Sequence, residues 1–435
     1  NNQVAEVTRV VLPNVMLGPS WLSKDTLRMP LNESTFLAAV ANGSLNVVKW
    51  MRSRADAKVL WDTEACQVAA WNGHLDVLKW LRTQDPPCPW DSYTCISAAK
   101  QGHLDVLKWA REGDDHPCEW NAVVTIYAAE SGHLDILKWV RAQDEPCDWD
   151  PWACGRAALK GHLDVLKWLR AQDPPCPWNA RTCSYAAESG RIDILEWARE
   201  QGCPWDENAC VLAASYNHLH ILKWLRAQDP PCPWNPTVCS YAAEGGYMDI
   251  LQWARAQDPP CPWDADVCSN AAGRGNNLHV LQWARSQDPP CDWNAGVCMY
   301  AAESGNLDIL KWLRSQDPPC DWDVWTCCAA AEKGCLDILQ WARAQDPPCP
   351  WNEDCTIRAT ENGHLETLKW LRAQSPPCPW DENACKMSAQ KGHKEVLAWI
   401  NSLTAAQIGT NSADMKKKKE LSVCDLAAKN GDLEK

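Results

Sequence analysis

Apolar residues recur at helical spacing in a segment that the chain repeats along most of its length. In one copy Leu163, Leu166 and Leu169 fall on a single stripe, while the aspartate, lysine and arginine residues between them face away. This pattern predicts an amphipathic helix, which we name helix B. The helix is expected to end at an Asp-Pro-Pro step, because proline cannot continue the helical hydrogen-bond ladder and favours an extended chain.

A second, shorter helix is predicted before helix B in each copy. The segment "ARTCSYAA" from Ala180 contains good helix formers, and the pattern stops at Gly190, which marks a turn. We name this element helix A. Each copy is therefore predicted to contain helix A, a turn, helix B and an extended return with cysteine, proline and tryptophan.

Two series of tryptophans give the period of the repeat, which is mostly 29 or 30 residues, and they account for 25 of the 29 tryptophans. The return segments supply Trp61, Trp90, Trp120, Trp149, Trp178, Trp205, Trp234, Trp263, Trp293, Trp322, Trp351 and Trp380. Helix B supplies Trp50, Trp80, Trp109, Trp139, Trp168, Trp197, Trp224, Trp253, Trp283, Trp312, Trp341, Trp370 and Trp399. The chain thus contains about 13 copies between residues 34 and 402.

One such hairpin cannot bury both of its helices, so neighbouring copies must stack on one another. The small residues Ala186 and Ala187 of helix A let adjacent backbones approach, while leucine and tryptophan fill the space between layers. We therefore predict the all-α class, as a solenoid of stacked helix-turn-helix repeats.

The repeat resembles the ankyrin family. The segment "RTCSYAAESGRIDILEWARE" is similar to the family pattern "TPLHxAAxxGHxxIVxxLL", and "TEACQVAAWNGHLDVLKWL" from Thr63 matches it as well. In the first segment the matching positions are Thr182, Ala186, Ala187, Gly190, Ile192, Ile194 and Leu195. The family's proline is usually cysteine here, and the period falls short of about 33 residues. The resemblance therefore implies ankyrin-like repeats with shortened hairpin loops; a leucine-rich repeat competes at this period but would need an alternating strand and asparagine.

The cysteines raise the question of metal or disulfide chemistry. Zinc sites use short paired spacings such as C-x2-C, whereas the two cysteines of one copy, such as Cys176 and Cys183, are separated by six residues. A bridge within one copy is a sharper alternative, but Cys66 and Cys118 each occur without the second cysteine of their copy. We expect no metal and no cofactor, and we favour reduced, buried thiols over bridges, with bridging left open.

The variable position of helix A supplies the candidate binding residues. It lies seven residues after the return tryptophan, four of the seven tyrosines occupy it, and a glutamate stands three residues beyond each of them. The partner-binding candidates are Tyr127, Glu130, Tyr185, Glu188, Tyr241, Glu244, Tyr300, Glu303, Arg156 and Arg358. An open alternative is that the tyrosines only fill space and the glutamates are only solvated.

The predicted function is non-catalytic, because nearly every reactive residue type is explained by its place in the repeat. The resemblance implies a protein–protein interaction scaffold, or a structural subunit of a larger assembly, that binds its partner through a concave helix A surface. The alternative is the substrate-recognition module of a ubiquitin-ligase-type adaptor whose effector lies outside this chain. A net charge of −14 without a basic stripe favours a protein partner with a basic or helical segment over nucleic acid.

Further expectations concern the ends and the compartment. Residues 1–33 are predicted to cap the array or extend it, 403–420 to form a polar and basic insertion, and 421–435 to begin a truncated copy. Both ends are expected to be edges of a longer protein. No apolar run is long enough to span a bilayer, so no direct membrane span is expected. No small-molecule substrate is expected either. Numerous reduced thiols predict an intracellular, cytoplasmic location, with organelle targeting left open.

Overall fold

A computed structural model describes residues 32–53, 62–113, 116–380 and 390–402, except for the side chain at 401. Twenty-five helices and no strands occupy these described residues. The helices are α1 (Glu33–Ala41), α2 (Leu45–Ser53), α3 (Thr63–Trp71), α4 (Leu75–Arg82), α5 (Ser92–Gln101), α6 (Leu104–Glu112), α7 (Ala122–Glu130), α8 (Leu134–Arg141), α9 (Pro151–Lys160), α10 (Leu163–Arg170), α11 (Ala180–Glu188), α12 (Ile192–Glu200), α13 (Glu207–Ser215), α14 (Leu219–Arg226), α15 (Pro236–Gly245), α16 (Met248–Arg255), α17 (Ala265–Ala272), α18 (Leu278–Arg285), α19 (Ala295–Glu303), α20 (Leu307–Arg314), α21 (Val324–Lys333), α22 (Leu336–Arg343), α23 (Glu353–Glu361), α24 (Leu365–Ala373) and α25 (Lys394–Ser402).

From α1 to α24, odd-numbered helices are helix A and even-numbered helices are helix B. The chain divides into two compact units, Asn1–Ala209 and Cys210–Lys435. Within each unit, helices A pack on helix B of their own repeat and on neighbouring helices A, as α9 packs on α10 and α11. The predicted all-α helical-repeat solenoid is confirmed. Residues 1–31 of the predicted cap or extension at 1–33 lie outside the described residues, as do the insertion at 403–420 and the partial copy at 421–435.

The apolar stripe predicted for helix B forms the core. Val165, Leu166 and Leu169 of α10 are fully buried, and so are Ala157 and Ala158 of α9. Burying one leucine side chain contributes about 1.5–3 kcal/mol, so the stacked layers supply most of the stability of each repeat. Among the described helices, none is both long and apolar enough to cross a membrane.

Most helices A begin at a capping residue that follows the return tryptophan. Asp150 accepts a hydrogen bond from the backbone N–H of Trp152 at 2.8 Å, and Asn179 accepts one from Arg181 at 3.0 Å. These side chains satisfy backbone donors that have no partner inside the helix. The cap therefore fixes the first turn of helix A and the direction of the side chains on it.

The return segment is held by an arginine at the end of helix B. Arg255 donates from Nη1 to the backbone oxygen of Cys261 at 2.6 Å, and its guanidinium lies 4.2 Å from the centroid of the Trp263 ring. That ring meets Trp283 of the next helix B edge to face, with the centroids 5.8 Å apart. The return tryptophan therefore joins one repeat to the next, where the ankyrin pattern would place a hairpin.

The histidine after the turn glycine connects its repeat to the preceding one. His364 donates from Nε2 to the backbone oxygen of Glu332 at 2.9 Å, and His103 contacts the backbone oxygen of Trp71 at 3.1 Å. The sequence predicts only that this histidine holds its own turn. Asn277 stands at the equivalent position and donates to the backbone oxygen of Glu244 at 3.0 Å and to that of Ala243 at 2.9 Å, so an amide can replace the imidazole.

Replacing His364 with alanine is expected to lower the free energy of unfolding by about 1 kcal/mol, because the carbonyl of Glu332 loses a neutral donor. His364→Asn should lose less than half as much, since Asn277 makes the equivalent bond. Urea unfolding followed by circular dichroism measures both changes. Equal losses for the two variants would show that the hydrogen bond is not the stabilising contact.

Candidate functional site

The predicted tyrosines lie on helices A of both units. Tyr127 on α7 and Tyr185 on α11 are half-buried in the first unit, whereas Tyr241 on α15 and Tyr300 on α19 are 37% and 41% exposed in the second. Within each unit the two tyrosines are two repeats apart, with another helix A between them. The structure therefore places them on equivalent positions but does not gather them into one cluster.

The predicted glutamates lie at the last turn of helix A, where cations of the next repeat approach them. The carboxylate of Glu244 is 3.7 Å from Arg274, and that of Glu303 is 3.8 Å from Lys333. Such partly exposed pairs contribute about 0–1 kcal/mol. Glu130 and Glu188 are half-buried at the same place in the first unit.

The two predicted arginines lie beside tryptophans. Arg358 on α23 pairs with Glu332, and its guanidinium lies 5.5 Å from the centroid of the Trp325 ring. Arg156 on α9 lies 5.2 Å from the centroid of the Trp152 ring on the same helix. Neither tryptophan belongs to the two repeat series, so these contacts are not part of the repeated scaffold.

Aromatic and basic side chains alternate along successive helices A of the first unit. The ammonium of Lys100 on α5 lies 5.5 Å from the ring centroid of Trp71 on α3 and 4.7 Å from that of Tyr127 on α7. One lysine thus spans three consecutive repeats. A cation at this distance from an aromatic face is attracted by about 0.5–1 kcal/mol at exposed sites.

The next two repeats extend this arrangement. Two guanidinium groups lie near the ring of Trp152 on α9, with Arg156 at 5.2 Å and Arg181 of α11 at 4.9 Å from its centroid. Tyr185 of α11 lies 6.0 Å from Trp152 between centroids, and the two ring planes are tilted by 35°. Two aromatic rings and two fixed cations therefore meet at one place on the surface.

A small pocket opens between these rings, with Pro151, Gly155 and Asn179 completing its lining. A side-chain carbon built on Gly155 would lie 3.1 Å from the Tyr185 ring, so the absence of a side chain at 155 lets that ring lie close to α9. We name the following residues the aromatic–basic strip: Trp71, Lys100, Tyr127, Trp152, Arg156, Arg181 and Tyr185.

Four residues of the strip were not predicted from the sequence, namely Trp71, Lys100, Trp152 and Arg181, although a signal for the tryptophans was present. Four tryptophans of the chain fall outside the two repeat series, and two of them, Trp71 and Trp152, belong to the strip. A residue that departs from the repeat is a stronger indication of a functional site than a residue that recurs in many copies.

The described cysteines are free thiols, and all of them except Cys335 are buried. The helix thiol faces the return cysteine that closes its own hairpin: Cys66 Sγ lies 3.9 Å from the backbone oxygen of Cys88, and Cys95 Sγ lies 3.9 Å from that of Cys118. A disulfide between the two cysteines of one sequence copy, such as Cys88 and Cys95, would therefore pair the wrong cysteines. Burial raises the pKa of the Cys147 thiol to about 12, which keeps that thiol protonated.

One group of acidic side chains has the spacing of a metal site. Oxygen atoms of Glu33, Asp62 and Glu64 lie within 4.8 Å of one another, and this is the one such group among the described residues. Partial burial and the nearby carboxylate of Asp62 raise the pKa of Glu64. Carboxylates this close and this exposed occur on protein surfaces without an ion, so their spacing alone does not indicate a metal site.

Comparison with known proteins finds no matching family model and no matching curated protein. Among solved structures, the chain is similar to the pentatricopeptide repeat protein PPR10 in complex with an 18-nt psaJ RNA element, with a TM-score of 0.39 and 10% identity. A variant of that protein with three cysteines replaced by serine, in complex with the same element, gives a TM-score of 0.38 and 10% identity. Each match covers 86% of this chain and 64% of the other, so the chain spans less than two thirds of that neighbour. The likeness is one of helical-repeat architecture and not of ankyrin repeats specifically.

These neighbours correct two expectations. The predicted function, a protein–protein scaffold or adaptor module, and the predicted partner, a protein with nucleic acid excluded, are wrong, because the similar solved chains are helical-repeat proteins in complex with RNA. The exclusion rested on the net charge of −14, which is a sum over the whole chain. That sum does not describe the local surface, where three cations lie among four aromatic rings in the strip.

Proposed function

We propose that the aromatic–basic strip of the first unit binds single-stranded RNA. The observation that carries this proposal is the cluster of Trp152, Arg156, Arg181 and Tyr185 on neighbouring helices A. Aromatic faces and guanidinium planes are the surfaces on which proteins stack unpaired bases. The proposal rests on these contacts and not on the likeness to the RNA-bound neighbours.

The aromatic rings would supply most of the affinity. Stacking one base on an aromatic side chain contributes about 1–3 kcal/mol and tolerates every base, because each base has a π-face. Tyr127, Trp152 and Tyr185 lie on α7, α9 and α11, so three consecutive repeats each offer one ring. Such a surface favours unpaired strands, since the bases of a duplex are already stacked on each other.

The three cations would contact phosphates. Lys100, Arg156 and Arg181 hold their charge near the rings, where the backbone of a stacked strand would run. Neutralising three phosphates of a single strand releases counterions, and the logarithm of the binding constant should fall with the logarithm of salt with a slope of about −2. The negative charge of the rest of the chain would repel the additional phosphates of a longer duplex and so lower the affinity for it.

The type of repeat is a second part of the proposal. We infer that the repeats are ankyrin-like, on the support of the left-handed turn glycine, such as Gly161 at a φ of +81°, and the histidine that follows it. The proposed activity is binding without catalysis. An intracellular location is likewise proposed, on the support of the many buried free thiols.

The test is a binding titration of the full chain with fluorescein-labelled oligouridylate, followed by fluorescence anisotropy. We expect Trp152→Ala to weaken binding roughly 5- to 100-fold through the loss of one stacking platform. Arg156→Ala should weaken binding and make the salt slope less negative by about 0.7, which is the contribution of one phosphate contact.

Lys138→Ala is the matched control, because it removes the same charge from an exposed position on α8, a helix B. This variant should bind as the unaltered chain does, and circular dichroism should report the same helix content for all variants. If Trp152→Ala and Lys138→Ala bind RNA equally, or the unaltered chain does not bind, the proposal is wrong.

A further inference from the structure

Three of the described cysteines depart from the repeat. All others occupy either the return segment or the fourth residue after the helix A cap, as Cys327 follows Asp323. The exceptions are Cys328, one position later in α21; Cys355, one position earlier in α23; and Cys335, in the turn before α22. Two displaced thiols therefore lie on consecutive helices A, and the repeat pattern does not explain their positions.

The displacement brings two thiols together. A shift of one residue turns a side chain by about 100° around a helix, so Cys328 turns toward the next helix A while Cys355 turns toward the preceding one. The Sγ atoms of Cys328 and Cys355 are 3.0 Å apart, and both residues are fully buried. Helix cysteines at the regular position instead point to a backbone oxygen, as Cys298 Sγ does at 3.9 Å from Cys320.

The surrounding groups favour a reactive sulfur at this place. Asn352 does not cap α23 with its side chain, unlike Asn294 at the equivalent position of α19; its Oδ1 lies 3.3 Å from Cys328 Sγ instead. The thiols of Cys328 and Cys378 approach Cys355, and their hydrogen bonds hold the pKa of Cys355 well below its usual range. A thiolate held in contact with a second thiol is the arrangement from which disulfides form.

We propose that Cys328 and Cys355 are an oxidation site, at which a peroxide-class oxidant converts the two thiols into a disulfide that joins α21 to α23. The proposal is independent of RNA binding, because both residues lie in the second unit and the strip lies in the first.

The chemistry balances with hydrogen peroxide as the oxidant. The thiolate of Cys355 attacks one peroxide oxygen, the O–O bond breaks, and the leaving hydroxide takes a proton to become water, which leaves a sulfenic acid on Cys355. The sulfur of Cys328 then attacks the sulfenic sulfur, the S–O bond breaks, and the second oxygen leaves as water with the thiol proton. Two thiols lose two electrons and one peroxide gains them. Because the site is buried, peroxide must enter through local opening of the repeat.

The experiment treats the full chain with increasing hydrogen peroxide under native conditions, alkylates it after denaturation and maps linked tryptic peptides by mass spectrometry. The half-buried Cys335 serves as an internal indicator that the oxidant has reacted with the protein. We expect a linked peptide pair that lacks two hydrogens and joins residues 315–333 to 344–358. Oxidation of Cys335 without any such linked pair would overturn the proposal.

Matched variants separate this pair from its neighbours, since Cys327 and Cys349 lie in the same two peptides. Cys328→Ser introduces the residue found at the equivalent positions Ser240 and Ser269, and Cys355→Ala introduces that of Ala153, so both should fold. The linked pair should be lost completely in each. Cys327→Ser should retain it. Loss in Cys327→Ser and retention in Cys355→Ala would assign the bridge to the regular pair and refute the proposal.

Discussion

Replacing Leu166 with alanine is expected to destabilise its repeat by about 2–5 kcal/mol, the largest effect that we predict for one side chain. Leu166 has no exposed surface, and it lies in the middle of α10, whose neighbour α9 contributes two buried alanines that cannot fill the cavity. In a stacked array the loss should appear in the altered repeat and its immediate neighbours. Hydrogen exchange of the full chain measures it, as faster exchange of peptides from α9 to α12.

Two controls define the Leu166 result. Lys167 is exposed on the same helix, and its ammonium lies 6.0 Å from the centroid of the Trp197 ring, so Lys167→Ala should change local stability by no more than about 1 kcal/mol. Helices in the second unit should exchange as before. Uniformly faster exchange over the whole chain would mean that the array unfolds as one body and would contradict the repeat-by-repeat account.

Replacing Arg255 with methionine is expected to cost about 1.5–4 kcal/mol. The substitution removes a charged donor from the backbone oxygen of Cys261 and a guanidinium from the face of Trp263. The unmet carbonyl accounts for about 1–3 kcal/mol and the lost cation–π contact for about 0.5–1 kcal/mol. Urea unfolding of the full chain, followed by tryptophan fluorescence, should show an earlier transition.

Arg255→Lys distinguishes the two contributions. Lysine keeps the charge but lacks the planar group that can stack on Trp263 while donating to Cys261. We expect a loss between those of the unaltered chain and the methionine variant. A lysine variant as stable as the unaltered chain would show that charge alone, and not the guanidinium geometry, holds the return segment.

The repeated part of the fold could be predicted because each copy carries the same physical instructions. The leucine spacing predicted helix B, and the Asp-Pro-Pro step predicted where that helix ends. The need to bury both helices predicted that the repeats stack on one another. The path of the return segment could not be predicted, since its bonds join residues of different elements. Arg255 reaches Cys261, and Trp263 reaches Trp283 in the next repeat, through contacts that no spacing rule describes.

The candidate site was only partly predictable, because it combines residues from different repeats. Tyr127, Tyr185 and Arg156 were found from their variable position on helix A. Lys100 was not, since its approach to Trp71 and Tyr127 depends on how three helices stack.

Cysteine pairing shows the same limit. The sequence left open a bridge between the two cysteines of one copy, such as Cys88 and Cys95, but the hairpin turns Cys66 toward Cys88 instead. The displacement of Cys355 was visible in the sequence, and its contact with Cys328 at 3.0 Å was not.

Photo-crosslinking of the full chain to single-stranded RNA that contains 4-thiouridine tests the central claim most directly, because it reports which residues touch the bases. The account predicts crosslinks on peptides of α7, α9 and α11, at Tyr127, Trp152 or Tyr185, and their loss in Trp152→Ala for the α9 peptide. Crosslinks confined to helix B or to the return segments, or no crosslinks at concentrations where a known RNA-binding protein reacts, would contradict it.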